Sequence, residues 1–136
     1  MTSELRVDNL KGSTTGGSIN VLGEGTSATT NLQQGLCKQW CYQEGVGTPS
    51  LSDSFNVSSL EDLATGVTKQ NCTNNFANTD FSVTAMATDQ NEFIVLIEYT
   101  STTPRTTASA MTAAANTGGT NTDCDARSIT IHGDLA

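Results

Sequence analysis

The first 25 residues hold two short apolar-containing runs, residues 5–10 and 19–22, separated by spacers made mostly of glycine, serine and threonine. Each run has the length of a short strand, but neither can bury a face against the other across so flexible a spacer. An isolated chain therefore offers this segment little to fold against. The sequence predicts an extended N-terminal β arm that becomes ordered by packing on other copies of the chain or on a larger assembly.

The length of 136 residues suits one domain plus such an arm. We assign residues 1–35 to the arm, for assembly and anchoring, and residues 36–136 to a body. The predicted assembly contacts are the apolar residues of the arm and one tryptophan beyond it: Leu5, Val7, Leu10, Ile19, Val21, Leu22 and Trp40.

About a quarter of the chain is serine or threonine, which is well above ordinary usage. Threonine favours strands and serine favours turns, so this excess predicts an all-β protein with solvated hydroxyl faces. The formal net charge of −8, with only six lysine and arginine residues, opposes the positive surface that a nucleic-acid binder needs. Nucleic acid is therefore not an expected partner.

Alternating and apolar segments along the body predict a series of short strands. One helical turn is expected at residues 29–35, before the body begins. The predicted strands cover residues 36–42, 53–60, 61–68, 67–73, 81–87, 93–99, 106–112 and 128–133. The strands at 81–87 and 93–99 are expected to pair at the centre of the core, and residues 113–123 to form a small-residue loop. This pattern indicates a β-sandwich, jelly-roll-like body.

No apolar run approaches the roughly 18 residues of a membrane span, and the N-terminus lacks the basic-then-apolar layout of a secretory signal. We therefore expect assembly in a cytoplasm. The four cysteines, Cys37, Cys41, Cys72 and Cys124, would allow two disulfides with three connectivities, but a reducing compartment favours buried free thiols. Cys37 and Cys41 would lie roughly 13 Å apart on one strand, too far to bridge each other.

No pattern in the chain predicts a cofactor, a metal centre or a catalytic group. The cysteine spacings and the single histidine, His132, match poorly with a zinc site. Loop oxygens of Asn121, Asp123 and Asp125 offer a calcium site, although solvated loop acids are the simpler interpretation. A glycan depolymerase would need paired carboxylates, for which Asp89, Glu92 and Glu98 are the candidates, but solvation in a hairpin explains them equally well.

Two kinds of contact surface are expected on the body. Trp40 and Tyr42, on one side of a predicted strand, form either a platform for a sugar ring or a packing anchor at a subunit seam, and we favour the anchor. Receptor contact is expected in loops on the rigid sheet framework. The candidate residues there are Arg105, Asn116, Asn121 and Asp123, together with the turn at residues 88–91.

Five segments in this order resemble small virion proteins of marine tailed bacteriophages, cyanophages especially: residues 3–8, 36–42 with Trp40, 53–59, 76–81 and 131–136. The resemblance covers nearly the whole chain. Members often carry alanine, tryptophan, and then valine and asparagine across the region of residues 37–42, so the cysteines here are departures from the family.

The resemblance implies a non-catalytic, tail-fibre-like structural protein of the virion, a homotrimer whose N-terminal strands anchor it to other virion proteins. Its outer sandwich would contribute to host-surface recognition, with a cell-surface glycan as the host partner. A capsid decoration or head-fibre protein is the alternative that the same resemblance allows.

Overall fold

The computed structural model describes residues 4–15, 19–23, 25, 27–89, 94–98 and 105–136. The chain divides into two compact units, Met1–Leu36 and Cys37–Ala136. Among the described residues, no helix has the length and apolar character needed to cross a membrane.

The first unit contains a small hairpin and one helical turn. Strand β1 (Asn20–Leu22) pairs antiparallel with β2 (Thr29–Asn31), and α1 (Leu32–Gly35) follows directly. The Asn31 side chain caps this turn, because its Oδ1 accepts hydrogen bonds from the backbone N–H groups of Gln33 and Gln34. The helical turn predicted at residues 29–35 is thus confirmed.

Residues 5–10 do not form the predicted strand. Their backbone has no ladder partner within the described part of the chain, and all six side chains are exposed. A strand requires a neighbour to satisfy its backbone groups, which apolar residues alone do not provide. The prediction of a strand in this run is therefore wrong, although its apolar residues do remain uncovered.

The second unit consists of antiparallel strands, which confirms the all-β prediction. The described residues of this unit form eight strands: β3 (Gln39–Glu44), β4 (Ser50–Phe55), β5 (Val57–Ala64), β6 (Val67–Cys72), β7 (Ser82–Thr88), β8 (Ile94–Glu98), β9 (Ser109–Asn116) and β10 (Ala126–His132). They form two four-stranded sheets. We call the sheet with the order β4-β3-β10-β7 the first sheet, and the sheet with the order β5-β6-β9-β8 the second sheet.

One apolar cluster of the buried core contains residues from both sheets. Ile129 and Ile131 of β10 cluster there with Ala110 of β9, and with Phe76 and Phe81 from the segment before β7. The predicted burial of both isoleucines on one face of a strand is confirmed, since both are at most 1 % exposed.

Hydrogen bonds between buried polar side chains also connect strands of the two sheets. Gln70 of β6 donates from Nε2 to Gln43 Oε1 of β3, with the two atoms 3.2 Å apart, and also to Thr112 Oγ1 at 3.3 Å. Arg127 of β10 is 1 % exposed and donates from Nη1 to Thr68 Oγ1 of β6. These hydrogen bonds connect one sheet to the other, although Gln39 Nε2, Gln43 Nε2 and Gln70 Oε1 are buried among the described residues with no partner.

One residue, Asn56, connects β4 of the first sheet to β5 of the second. Asn56 has a left-handed φ of +59°, and its side chain donates to the carbonyl oxygens of Lys38 and Asn74 and accepts from the Asn74 N–H. Asparagine tolerates this conformation better than most residues. The single strand predicted at residues 53–60 is therefore wrong, because it is two strands that belong to different sheets.

Two further predictions about the strands need correction. β7 and β8 do not pair with each other at the core centre, since β7 is an edge strand bonded to β10 and β8 is an edge strand bonded to β9. The loop predicted at residues 113–123 begins only after Asn116, because residues 113–115 belong to the buried part of β9. The hairpin predicted around Gly66 is confirmed by the pairing of β5 with β6.

Candidate functional site

The outer face of the first sheet exposes large aromatic side chains. Along β3 the residues alternate between buried and exposed, so that Gln39, Cys41 and Gln43 point inward while Trp40 and Tyr42 point outward. This confirms the predicted division of the strand into an aromatic side and a thiol side. Trp40 is 37 % exposed and Tyr42 is 43 % exposed.

Strand register adds residues from the neighbouring strands to this face. The first row across the sheet consists of Asp53, Tyr42, Ser128 and Met86, and the second consists of Phe55, Trp40, Thr130 and Thr84. We call these eight residues the aromatic face. Phe55 is 50 % exposed and Met86 is 72 % exposed. Sequence reasoning missed both as site residues, because only the register places them beside Trp40 and Tyr42.

Three of the predicted receptor-contact residues lie near the β9–β10 connection. Asn116 ends β9, and its Oδ1 accepts hydrogen bonds from the backbone N–H groups of Gly118 and Thr120, which shapes the turn. Asn121 forms an isolated bridge with Ala115 and is half-buried. Asp123 Oδ1 accepts from the Gly66 N–H at 2.8 Å. Asn116 and Asp123 therefore have a structural role, because their side chains hold neighbouring backbone segments in place.

Asp123 also lines an open cleft of about 410 Å³ at the end of the β5–β6 hairpin. The other lining residues are Gly47, Thr48, Asp62, Leu63, Ala64 and Thr65. Two carboxylates and two hydroxyls make this cleft polar and acidic. Among the described residues, no cluster of three or more histidine, cysteine, aspartate or glutamate side chains is placed to hold a metal ion.

Arg105, the fourth predicted receptor-contact residue, binds its own chain. Its Nη1 donates to the carbonyl oxygens of Thr79 and Phe81, at 3.1 and 2.7 Å, and its guanidinium carbon lies 4.8 Å from the centre of the Phe81 ring. This is a cation–π geometry. The contacts assign Arg105 a structural role in holding the segment that precedes β7.

The predicted assembly residues of the arm are largely exposed. Leu5 is 77 % exposed and Leu22 is 64 % exposed, Val7, Leu10 and Val21 are also exposed, and Ile19 is half-buried. Of the carboxylates considered for glycan cleavage, Glu92 lies outside the described residues, as do positions 90 and 91 of the predicted receptor turn. The side chain of Glu98 is likewise outside the description.

All four cysteines are free thiols. Burial raises the pKa of Cys41 from 9.0 to about 12 and that of Cys72 to about 11. Cys124 is fully buried, and its sulfur accepts a hydrogen bond from Arg127 Nε at 3.2 Å. Buried thiols with raised pKa values are poor nucleophiles, so Cys41 and Cys72 are not suited to covalent catalysis.

We expect Cys41 and Cys124 to resist alkylation by iodoacetamide at about pH 8 in the folded chain, because both are buried. Intact-mass measurement should find all four thiols modified only after unfolding in urea. Failure to modify all four thiols in urea without reductant would contradict this prediction.

The free energy of unfolding should also fall as the pH rises from 9 towards 12, since the unfolded chain releases the Cys41 proton over this interval and the folded chain keeps it.

The fold and these surfaces define an all-β chain whose described residues form a small hairpin and two four-stranded antiparallel sheets, with an acidic body and an exposed aromatic face. Comparison with protein-family models, curated proteins and solved structures finds no match to this chain. The functional argument therefore rests on the residues and contacts described above.

Proposed function

We propose that this chain is a non-catalytic structural protein of a bacteriophage virion, a tail-fibre-like appendage that assembles as a homotrimer and contributes to host-surface recognition. The body would be a jelly-roll-like β-sandwich, and the arm would anchor it to other copies and other virion proteins. Assembly would take place in the cytoplasm of the host bacterium.

The observation that supports this proposal is that the described residues of the N-terminal unit form no buried core. None of the described side chains of residues 4–36 is buried, and five aliphatic side chains in the arm are at least half exposed. Scattered exposed apolar residues are ordinary on a protein surface. Their concentration in one unit, in which none of the described residues is buried, favours a segment that becomes ordered against other chains.

The distribution of charge is consistent with such a role. Residues 37–136 carry eleven acidic and four basic side chains, a formal charge of −7, whereas residues 1–36 carry three acidic and two basic side chains, a charge of −1. Like charge keeps the bodies from associating non-specifically. Contacts between copies are therefore favoured through the nearly neutral arm.

Light scattering on the full chain tests the assembly. We expect a mass three times the 14.2 kDa of one chain. A variant carrying Leu5→Ser, Val7→Ser and Leu22→Ser should be a folded monomer, because it removes apolar area that only a partner covers. The matched control is Leu63→Ser, at an exposed position on β5 of the body, which should keep the assembled mass. A folded, monomeric full chain would contradict the proposal.

Gold-labelled antibody on intact particles tests the location. Labelling of the tail supports the fibre role, and labelling of the head supports a decoration or head-fibre role instead. Particles that contain none of the protein would overturn the virion assignment.

A further inference from the structure

We propose that the aromatic face binds a neutral oligosaccharide. This inference assigns host-surface recognition, one part of the proposed function, to a named surface and a class of ligand. It rests on the proposed function only in expecting that the saccharide comes from a host surface. The sequence analysis favoured a packing anchor at Trp40 and Tyr42 and expected recognition in the loops, with a sugar platform at these two residues as the alternative.

The first step is the composition of the face. Its two rows contain three aromatic residues and Met86, three side-chain hydroxyls from serine and threonine, and one charged side chain, Asp53. Glu44, the next exposed residue on this side of β3, lies just beyond the first row, so the two rows themselves are mostly uncharged. An exposed, mostly uncharged patch of about this size is often functional.

The second step is the size of the face. Four strands about 4.8 Å apart and a few residues of each strand make an area on the order of 400 Å². A stable protein interface needs about 800 Å² from each partner. The face is therefore too small to hold a second body by itself, and repulsion between two acidic bodies opposes that contact further.

The third step is the chemistry of the side chains. The faces of aromatic rings carry partial negative charge, which attracts the partly positive C–H groups of a pyranose ring. Asp53 lies opposite Tyr42 on the neighbouring strand, and Ser128 lies opposite Tyr42 on the other side. A carboxylate accepts hydrogen bonds from sugar hydroxyls, while serine and threonine both donate and accept. An uncharged sugar is also not repelled by the acidic body.

Trp40 is the only tryptophan, so its fluorescence reports directly on the face. We expect titration of the full chain with hexasaccharides of glucose, mannose, galactose or N-acetylglucosamine to shift the Trp40 emission and to protect it from acrylamide quenching, for at least one of the four. Tyr42→Ala and Phe55→Ala should each weaken binding roughly tenfold. Both positions are exposed, and circular dichroism should confirm that the variants fold.

Leu63→Ala is the matched control, because Leu63 is similarly exposed but lies on the second sheet. This variant should bind as the natural chain does. Failure of all four saccharides to bind in calorimetry, or binding that neither aromatic substitution weakens, would overturn the inference. Neither result bears on trimer mass or particle labelling, so failure here is distinct from failure of the virion proposal.

Discussion

Replacement of Gly66 by alanine should destabilise the body by about 2–4 kcal/mol. Gly66 has a φ of +70°, and an added Cβ would lie 2.5 Å from the carbonyl oxygen of Thr122 and 2.7 Å from that of Ala114. Both contacts are with backbone, which cannot rotate away as a side chain can. The left-handed conformation costs about 1 kcal/mol for a residue with a Cβ, and overpacking adds about 1–3 kcal/mol.

Gly47→Ala is the matched control for this prediction. Gly47 has nearly the same φ, +67°, but an added Cβ there would have nothing within 4 Å. Its substitution should therefore cost only the conformational part, about 1 kcal/mol. Urea unfolding followed by circular dichroism measures both variants, and equal midpoints would contradict the role assigned to the close contacts of Gly66.

Replacement of Phe81 by alanine should cost about 3–5 kcal/mol of the free energy of unfolding. The ring is 3 % exposed, its centre lies 4.7 Å from that of Phe76, and Arg105 covers it from another side. Truncation would remove these contacts and leave a cavity in the apolar cluster around it. The neighbouring backbone is tightly fitted, since a Cβ on Gly133 would lie 2.8 Å from Phe81 Cβ.

Phe55→Ala removes the same ring from an exposed position on the outer face of the first sheet. Its cost should be less than about 1 kcal/mol, because little of the transfer free energy of that ring is gained on folding. Urea unfolding of the two variants in parallel compares the free energy of unfolding lost at a phenylalanine of the core with that lost at a phenylalanine of the aromatic face. Similar losses of stability in both would mean that Phe55 is structural, which would also weaken the case for the aromatic face.

The sequence was sufficient to predict the strands that show a two-residue alternation of side chains within their own length. Alternation identified β3, β7 and β10 and assigned the inward and outward sides of β3 and β10, because a two-residue period is a property of each strand alone. The glycine turn between β5 and β6 was found for the same reason. These features do not depend on which strands become neighbours.

The predictions that failed concern positions where contacts between distant residues determine the local structure. The break at Asn56 depends on hydrogen bonds to Lys38 and Asn74, which lie 18 residues away on either side. Residues 113–115 are alanines, which have low intrinsic preference for strands, but their small size suits the fully buried β9. The aromatic face was only half predicted, since pairing register brings Phe55 and Met86 to Trp40 and Tyr42.

The hydrogen bonds between buried polar side chains influence how the two sheets align with each other. Apolar contacts are not directional, so they specify an alignment only through the fit of side-chain shapes. The bonds from Gln70 to Gln43 and from Arg127 to Thr68 are directional and connect opposite sheets. A displacement of one sheet by a single residue pair would leave an amide and a guanidinium stranded away from water. These two hydrogen bonds therefore favour one alignment of the two sheets.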